Sequence, residues 1–69
     1  MQAQDQLLET AKAKIESKDF EGAKNDLKKV IDAAPKNKHA FNLRGLARMG
    51  LSDFYGAIGD FNAALEICT

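Results

Sequence analysis

The sequence Asp-Phe-Glu-Gly-Ala at residues 19–23 returns, with one residue changed, as Asp-Phe-Tyr-Gly-Ala at residues 53–57. The offset between the two stretches, here called the repeat period, is the difference between positions 53 and 19, which is 34. A period of this length is typical of proteins built from stacked copies of one small structural unit. The sequence therefore predicts two copies, over about residues 2–35 and 36–69, in a single domain spanning residues 1–69. Further pairs of similar residues share the offset: Leu7 and Phe41, Ala13 and Ala47, Asp26 and Asp60, Leu27 and Phe61, Val30 and Ala64, and Ile31 and Leu65.

Composition limits the classes of protein to which this chain can belong. Ten acidic residues balance ten Lys and Arg, and the sequence pI is about 6.5, which argues against a nucleic-acid or anionic-membrane surface built on net charge. One cysteine, Cys68, excludes an internal disulfide and is compatible with a reducing compartment. No apolar run approaches the roughly 20 residues that cross a bilayer, and residues 1–18 are too polar for a secretory signal peptide. We therefore expect a cytoplasmic protein that neither binds nucleic acid nor inserts into membranes.

The first unit is expected to contain two helices. Residues 2–17 combine apolar residues at helical spacing with good helix formers such as Gln, Lys and Glu. Asp19 is expected to cap a second helix, because its carboxylate can accept hydrogen bonds from unpaired amides of the first turn. From Phe20 to Ala34 the apolar residues follow steps of three and four, which indicates one buried stripe. Pro35 cannot continue a helix and disfavours helical geometry at the preceding residue, so the helix is expected to end at Ala34.

The second unit repeats this pattern. Asn37 is expected to cap a third helix over residues 38–50, and Asp53 a fourth over about residues 54–67. Gly45 stands in the middle of the third helix, where glycine costs about 1 kcal/mol relative to alanine. We expect a close approach of a neighbouring helix to offset that cost. The fourth helix is expected to bury six apolar residues: Phe54, Ala57, Ile58, Phe61, Ala64 and Leu65.

The titratable residues form no pattern typical of catalysis or metal binding. His39 is the only histidine, and Cys68 is remote from it, so the spacing of metal ligands is absent. The repeated acids Asp26 and Asp60 are expected to lie on the outer sides of their helices, in contact with water. The sequence predicts no catalytic residue, no metal site and no cofactor, and hence a protein that is not an enzyme.

With the period and the paired helices in place, the chain resembles the tetratricopeptide repeat family over essentially all of residues 2–69. The second unit carries the closer match, at Phe41, Arg44-Gly45, Ala47, Asp53-Phe54, Ala57-Ile58, Phe61 and residues 64–67. The first unit keeps Phe20, Ala23, Leu27, Val30 and the closing Pro35. The resemblance implies an all-α fold in which two helical hairpins, made of four antiparallel helices, stack as a short right-handed α-solenoid.

The resemblance also implies a non-enzymatic protein–protein interaction module that acts as an assembly adaptor. Its first helices would line a concave face that binds an extended peptide or a helical segment of a protein partner. Carried over to this sequence, the concave positions are Asp5, Leu8, Lys12, Ile15 and Glu16 of the first helix and His39, Asn42, Leu46 and Met49 of the third. The groove residues predicted among them are Leu8, Lys12, Ile15, Asn42, Leu46 and Met49. The apolar residues among them could instead belong to the core.

One subset of the family grips the terminal carboxylate of a chaperone peptide with Lys and Asn side chains. The matching positions here hold Asp5, Glu9, His39 and Leu43. Two acids at these positions would repel a carboxylate, so we expect a mixed, partly apolar groove in place of that clamp.

The last helix supports an alternative function. Repeat arrays usually need at least about three units and a polar terminal helix to cover their apolar faces. Here the fourth helix is apolar, which leaves three arrangements open: a longer protein, a partner on this face, or self-association. The alternative is a structural module that forms homo-oligomers through Phe61, Leu65 and Cys68.

Overall fold

Four α-helices make up the computed structural model, which describes residues 3–67 and the side chains from residue 6 onward. The helices are α1 (Ala3–Glu16), α2 (Phe20–Ala33), α3 (Lys38–Gly50) and α4 (Phe54–Ile67), and the described residues contain no strand. The predicted all-α class is therefore confirmed, and the six helix ends from Glu16 to Phe54 lie within one residue of their predicted positions. None of these four helices has the length and apolarity needed to cross a bilayer.

The same short turn joins α1 to α2 and α3 to α4. In each turn one residue has a positive φ, which is 68° at Lys18 and 63° at Ser52. The amide of the next residue, Asp19 or Asp53, donates to the carbonyl oxygen five residues earlier over 2.7 and 2.8 Å. This is the Schellman arrangement, which satisfies carbonyl groups that the end of a helix leaves unpaired.

The same two aspartates begin the following helices. Asp19 Oδ1 accepts a hydrogen bond from the amide of Gly22 at 3.2 Å, and Asp53 Oδ1 accepts one from Gly56 at 3.1 Å. Asn37 caps α3 by accepting from the amides of residues 39 and 40. The three predicted N-caps are thus confirmed, and each satisfies amides that have no partner inside the helix.

The core consists mainly of alanine. Small side chains allow helix backbones to approach closely. Each helix packs on the next one along the chain, and α1 also touches α3. Within the described residues α4 packs on α3 alone. The buried apolar residues of this part of the chain are Ala11, Ala23, Leu27, Val30, Ala40, Ala47, Ala57 and Ala64.

Two glycines of α3 lie against aromatic rings of neighbouring helices. A Cβ atom at Gly45 would lie 2.6 Å from the ring of Phe61 in α4. A Cβ atom at Gly50 would lie 2.5 Å from the ring of Phe20 in α2. The close approach expected at Gly45 is confirmed, because no side chain fits between α3 and the ring in its present position.

Three apolar residues expected to be buried along the fourth helix are exposed instead. Phe54 is 56% exposed, Ile58 is 55% exposed and Leu65 is 68% exposed. Phe20 and Ile31, which precede Phe54 and Leu65 by one repeat period, are partly buried because α3 lies along α2. No helix among residues 3–67 lies along the corresponding side of α4. The sequence pattern places these apolar residues along α4 as predicted, but no other helix among residues 3–67 covers them.

Replacing Gly45 with alanine is expected to lower the free energy of unfolding by about 1 kcal/mol, because overpacking costs about 1–3 kcal/mol and exceeds the gain in helix propensity. The matched control is Gly59→Ala in α4. A Cβ atom at Gly59 meets no atom within 4 Å, so this variant is expected to raise stability by about 0.5–1 kcal/mol. Urea denaturation followed by circular dichroism measures both. Equal stabilisation by the two substitutions would contradict the close approach at Gly45.

Candidate functional site

An ion pair joins the two helices of each hairpin. In the first, Lys14 Nζ lies 2.8 Å from Asp26 Oδ2. In the second, Arg44 donates from Nη2 to Asp60 Oδ1 at 2.8 Å and from Nε to Oδ2 at 3.0 Å, and Arg48 Nη1 lies 3.2 Å from the same Oδ2. Asp26 is 8% exposed and Asp60 is 3% exposed. The prediction that these aspartates face water is wrong, because a cation from the preceding helix compensates the cost of burying each carboxylate.

These ion pairs repeat with the same period as the sequence. Lys14 and Arg48 are one repeat period apart, as are Asp26 and Asp60. Two positions that repeat together with opposite charges indicate a contact between them, and this signal could have identified the pairs from the sequence. Because cations already occupy both carboxylates, neither has the character of a free general base.

The second pair is the more extensive one. The fork of Arg44 holds both oxygens of Asp60, an arrangement about twice as strong as a hydrogen bond between neutral groups. The Nε atom of Arg48 is buried without a hydrogen bond, 3.7 Å from Asp53 Oδ2. The guanidinium group of Arg48 therefore lies between the buried carboxylate and the helix cap.

An open pocket of 280 Å³ lies between α1 and α3. Three of the predicted groove residues line it: Leu8, Lys12 and Asn42. The other lining residues are Glu9, His39 and Leu43, of which only His39 was expected on the concave face. Each of these lies one helical turn, or one residue, from a predicted member. The pocket therefore has two leucines among four polar side chains.

The remaining predicted groove residues lie outside this pocket. Ile15 packs against the core. Leu46 and Met49 are each 47% exposed. They follow Asn42 at steps of four and three along α3, so the three residues share one face of the helix. The structure thus places half of the predicted set around the pocket and leaves two exposed apolar residues beyond it.

The residues predicted for self-association differ in their exposure to solvent. Phe61 is partly buried against Gly45, whereas Leu65 is 68% exposed. Cys68 lies outside the described residues. The side chain of His39 is exposed. Among the described residues, no group of three His, Cys, Asp or Glu side chains is placed to hold a metal ion.

Replacing Asp60 with asparagine is expected to lower the free energy of unfolding by about 3–5 kcal/mol, since it leaves two arginines without their buried partner. The matched variant Asp26→Asn is expected to cost clearly less, because the side chain of Lys14 is 34% exposed and can turn to water. Urea unfolding at neutral pH measures both. Equal losses would show that burial does not distinguish the two pairs.

The pKa of Lys14 is raised above its ordinary value of 10.5 because its ammonium group donates a hydrogen bond to Asp26. The pair therefore contributes its full stabilisation below that value and loses it as the pH rises through the higher pKa of the folded state. The variant Lys14→Arg keeps its charge throughout this range. We expect the wild-type chain to lose more stability than the variant when urea unfolding is measured on either side of pH 10.5. Parallel losses would contradict a contribution from the lysine charge.

Comparison with known proteins gives no match: no family model fits the sequence, and no curated protein or solved structure is similar to it. The function of this chain must therefore be inferred from its own residues.

Proposed function

We propose that this chain is a non-enzymatic interaction module of the tetratricopeptide type, whose groove between α1 and α3 binds a peptide or a helical segment of another protein. In this proposal the two hairpins stack as a short right-handed α-solenoid and act as an assembly adaptor. The observation that carries it is the open pocket of 280 Å³ between the first helices of the two repeats. A cytoplasmic location stays a prediction from the composition.

The size of the pocket favours a peptide side chain over a whole small molecule. Small-molecule sites usually have volumes of about 300–1,000 Å³ and enclose most of their ligand. This pocket lies just below that range and is open to solvent. One apolar side chain could pack on Leu8 and Leu43, while the rest of the peptide remained in the groove.

The polar lining suggests how the peptide backbone would be held. Asn42 offers both a donor and an acceptor of hydrogen bonds, and the ring nitrogens of His39 add further hydrogen-bonding capacity. Glu9 and Lys12 carry opposite charges, so the pocket has no strong preference for an acidic or a basic ligand. The expected ligand is a segment with one apolar anchor and neutral or mixed-charge neighbours.

The exposed face of α3 provides a second contact beyond the pocket. Leu46 and Met49 extend the apolar surface along that helix. Methionine is flexible and polarisable, which suits it to partners of different shape. A bound segment that leaves the pocket along α3 would cover both residues, and this would account for their exposure.

Selection of random peptides displayed on phage is expected to yield ligands for the wild-type chain that share an apolar anchor. Nuclear magnetic resonance titration of such a peptide is expected to shift amide signals around Leu8, Lys12 and Asn42. The variant Met49→Glu is expected to weaken binding about tenfold, because a charge replaces an apolar contact (about 1.4 kcal/mol).

Tyr55→Glu is the control, since Tyr55 is 91% exposed on α4 and does not line the pocket. It is expected to leave the affinity for the selected peptide unchanged. Peptides whose signals map to α4, or whose affinity is insensitive to Met49→Glu, would contradict the groove as the binding site.

A further inference from the structure

One face of α4 carries a continuous apolar stripe with coiled-coil spacing. Phe54, Ile58, Phe61 and Leu65, here called the α4 seam, follow steps of four, three and four residues. These steps reproduce positions d, a, d and a of two heptads. Three of the four residues are more than half exposed, and Phe61 lies at the edge of the seam against α3. No helix in the described part of the chain covers this face as α3 covers α2.

We infer that the α4 seam binds the α4 seam of a second copy of this chain, with the two helices antiparallel. This pairing fits because the seam is symmetric about its own middle. Positions 54 and 65 have the same sum as positions 58 and 61, which is 119. A two-fold axis between residues 59 and 60 therefore sets Phe54 against the partner's Leu65 and Ile58 against the partner's Phe61. Each layer joins an aromatic ring to an aliphatic side chain, so no two aromatic rings face each other.

The charges of α4 permit two identical faces to meet. Between Phe54 and Leu65 the only charged residue is Asp60. Its carboxylate is turned towards α3, where Arg44 and Arg48 hold it. The seam thus presents no like charges to its own copy, which would otherwise oppose a symmetric pairing.

A head-to-tail arrangement, with α1 of one copy packed on α4 of another, is disfavoured because α1 lacks the glycine that lets α3 pack on α2. Within the chain, α3 covers α2 where Gly50 lies against Phe20, and a Cβ atom there would lie 2.5 Å from the ring. In α1 the residue that precedes Gly50 by one repeat period is the exposed Glu16. Stacking of copies would place this glutamate against Phe54, at a position where the repeat contact within the chain has a glycine.

The first test is the solution mass of the full chain by sedimentation velocity over a wide concentration series. Only four side chains form the seam, so we expect a reversible dimer with a dissociation constant in the micromolar range. Ile58→Glu, next to the two-fold axis, is expected to give a monomer at every concentration. Gly59→Glu adds the same charge one residue away, where no atom lies within 4 Å, and is expected to dimerise like the wild type. Circular dichroism is expected to show the same helicity for both variants.

The second test examines the antiparallel register. Phe54→Lys and Leu65→Glu alter residues that are 56% and 68% exposed, so both variants are expected to fold. Each alone is expected to be monomeric, because a charge then faces an apolar residue of its copy. An equal mixture is expected to recover a dimer, since the new lysine of one chain faces the new glutamate of the other.

Several outcomes would overturn the inference. A wild-type chain that stays monomeric would show that the seam does not bind its copy. A mass that grows beyond the dimer would indicate open stacking. A dimer that withstands Ile58→Glu would indicate another surface, and a mixture that stays monomeric would exclude the antiparallel register.

Discussion

The close approach of helices on alanine and glycine is the constraint on which this structure depends. Six of the eight apolar residues buried in the described part of the chain are alanine, and Gly45 admits the ring of Phe61. Such a core removes little apolar area from water, so its hydrophobic stabilisation is small. Interactions at the edges of the core therefore have a large share in fixing the arrangement. These are the N-caps, the left-handed turns and the buried Asp60 with its two arginines, and most of them occur once in each hairpin.

Local chemistry made much of the fold predictable from the sequence. The caps at Asp19, Asn37 and Asp53 and the close approach at Gly45 all follow from what one residue type can do at one position. Burial of Asp60 was not predicted, because it depends on a cation that reaches it from another helix. Exposure of Phe54 was not predicted either, because a periodic stripe shows which residues share a face and not whether anything covers that face. The pocket was predicted only in part for the same reason.

The groove is formed by α1 and α3, and the seam lies on α4, which makes no contact with α1 among the described residues. One surface can therefore be occupied without obstructing the other. A dimer formed through the seam would carry two grooves, and a ligand with two matching segments would bind the second groove at a raised effective concentration. Self-association would then strengthen partner binding without any new contact in the groove. The two functions considered for this chain are compatible on these terms.

The turn that joins the helices of each hairpin restricts how the chain can change in length. Asp19 and Asp53 each end one helix, through the amide, and begin the next, through the carboxylate. Inserting or deleting one residue near such a turn would separate these two roles. A change of one residue within a helix would rotate all later side chains by about 100°, since a turn holds about 3.6 residues. The buried aspartate would then no longer face its cation on the other helix, and the alanines would no longer face the neighbouring helix. Insertions and deletions are therefore tolerated most easily when they add or remove a whole repeat. Duplication of a complete hairpin is thus the natural way to lengthen this protein.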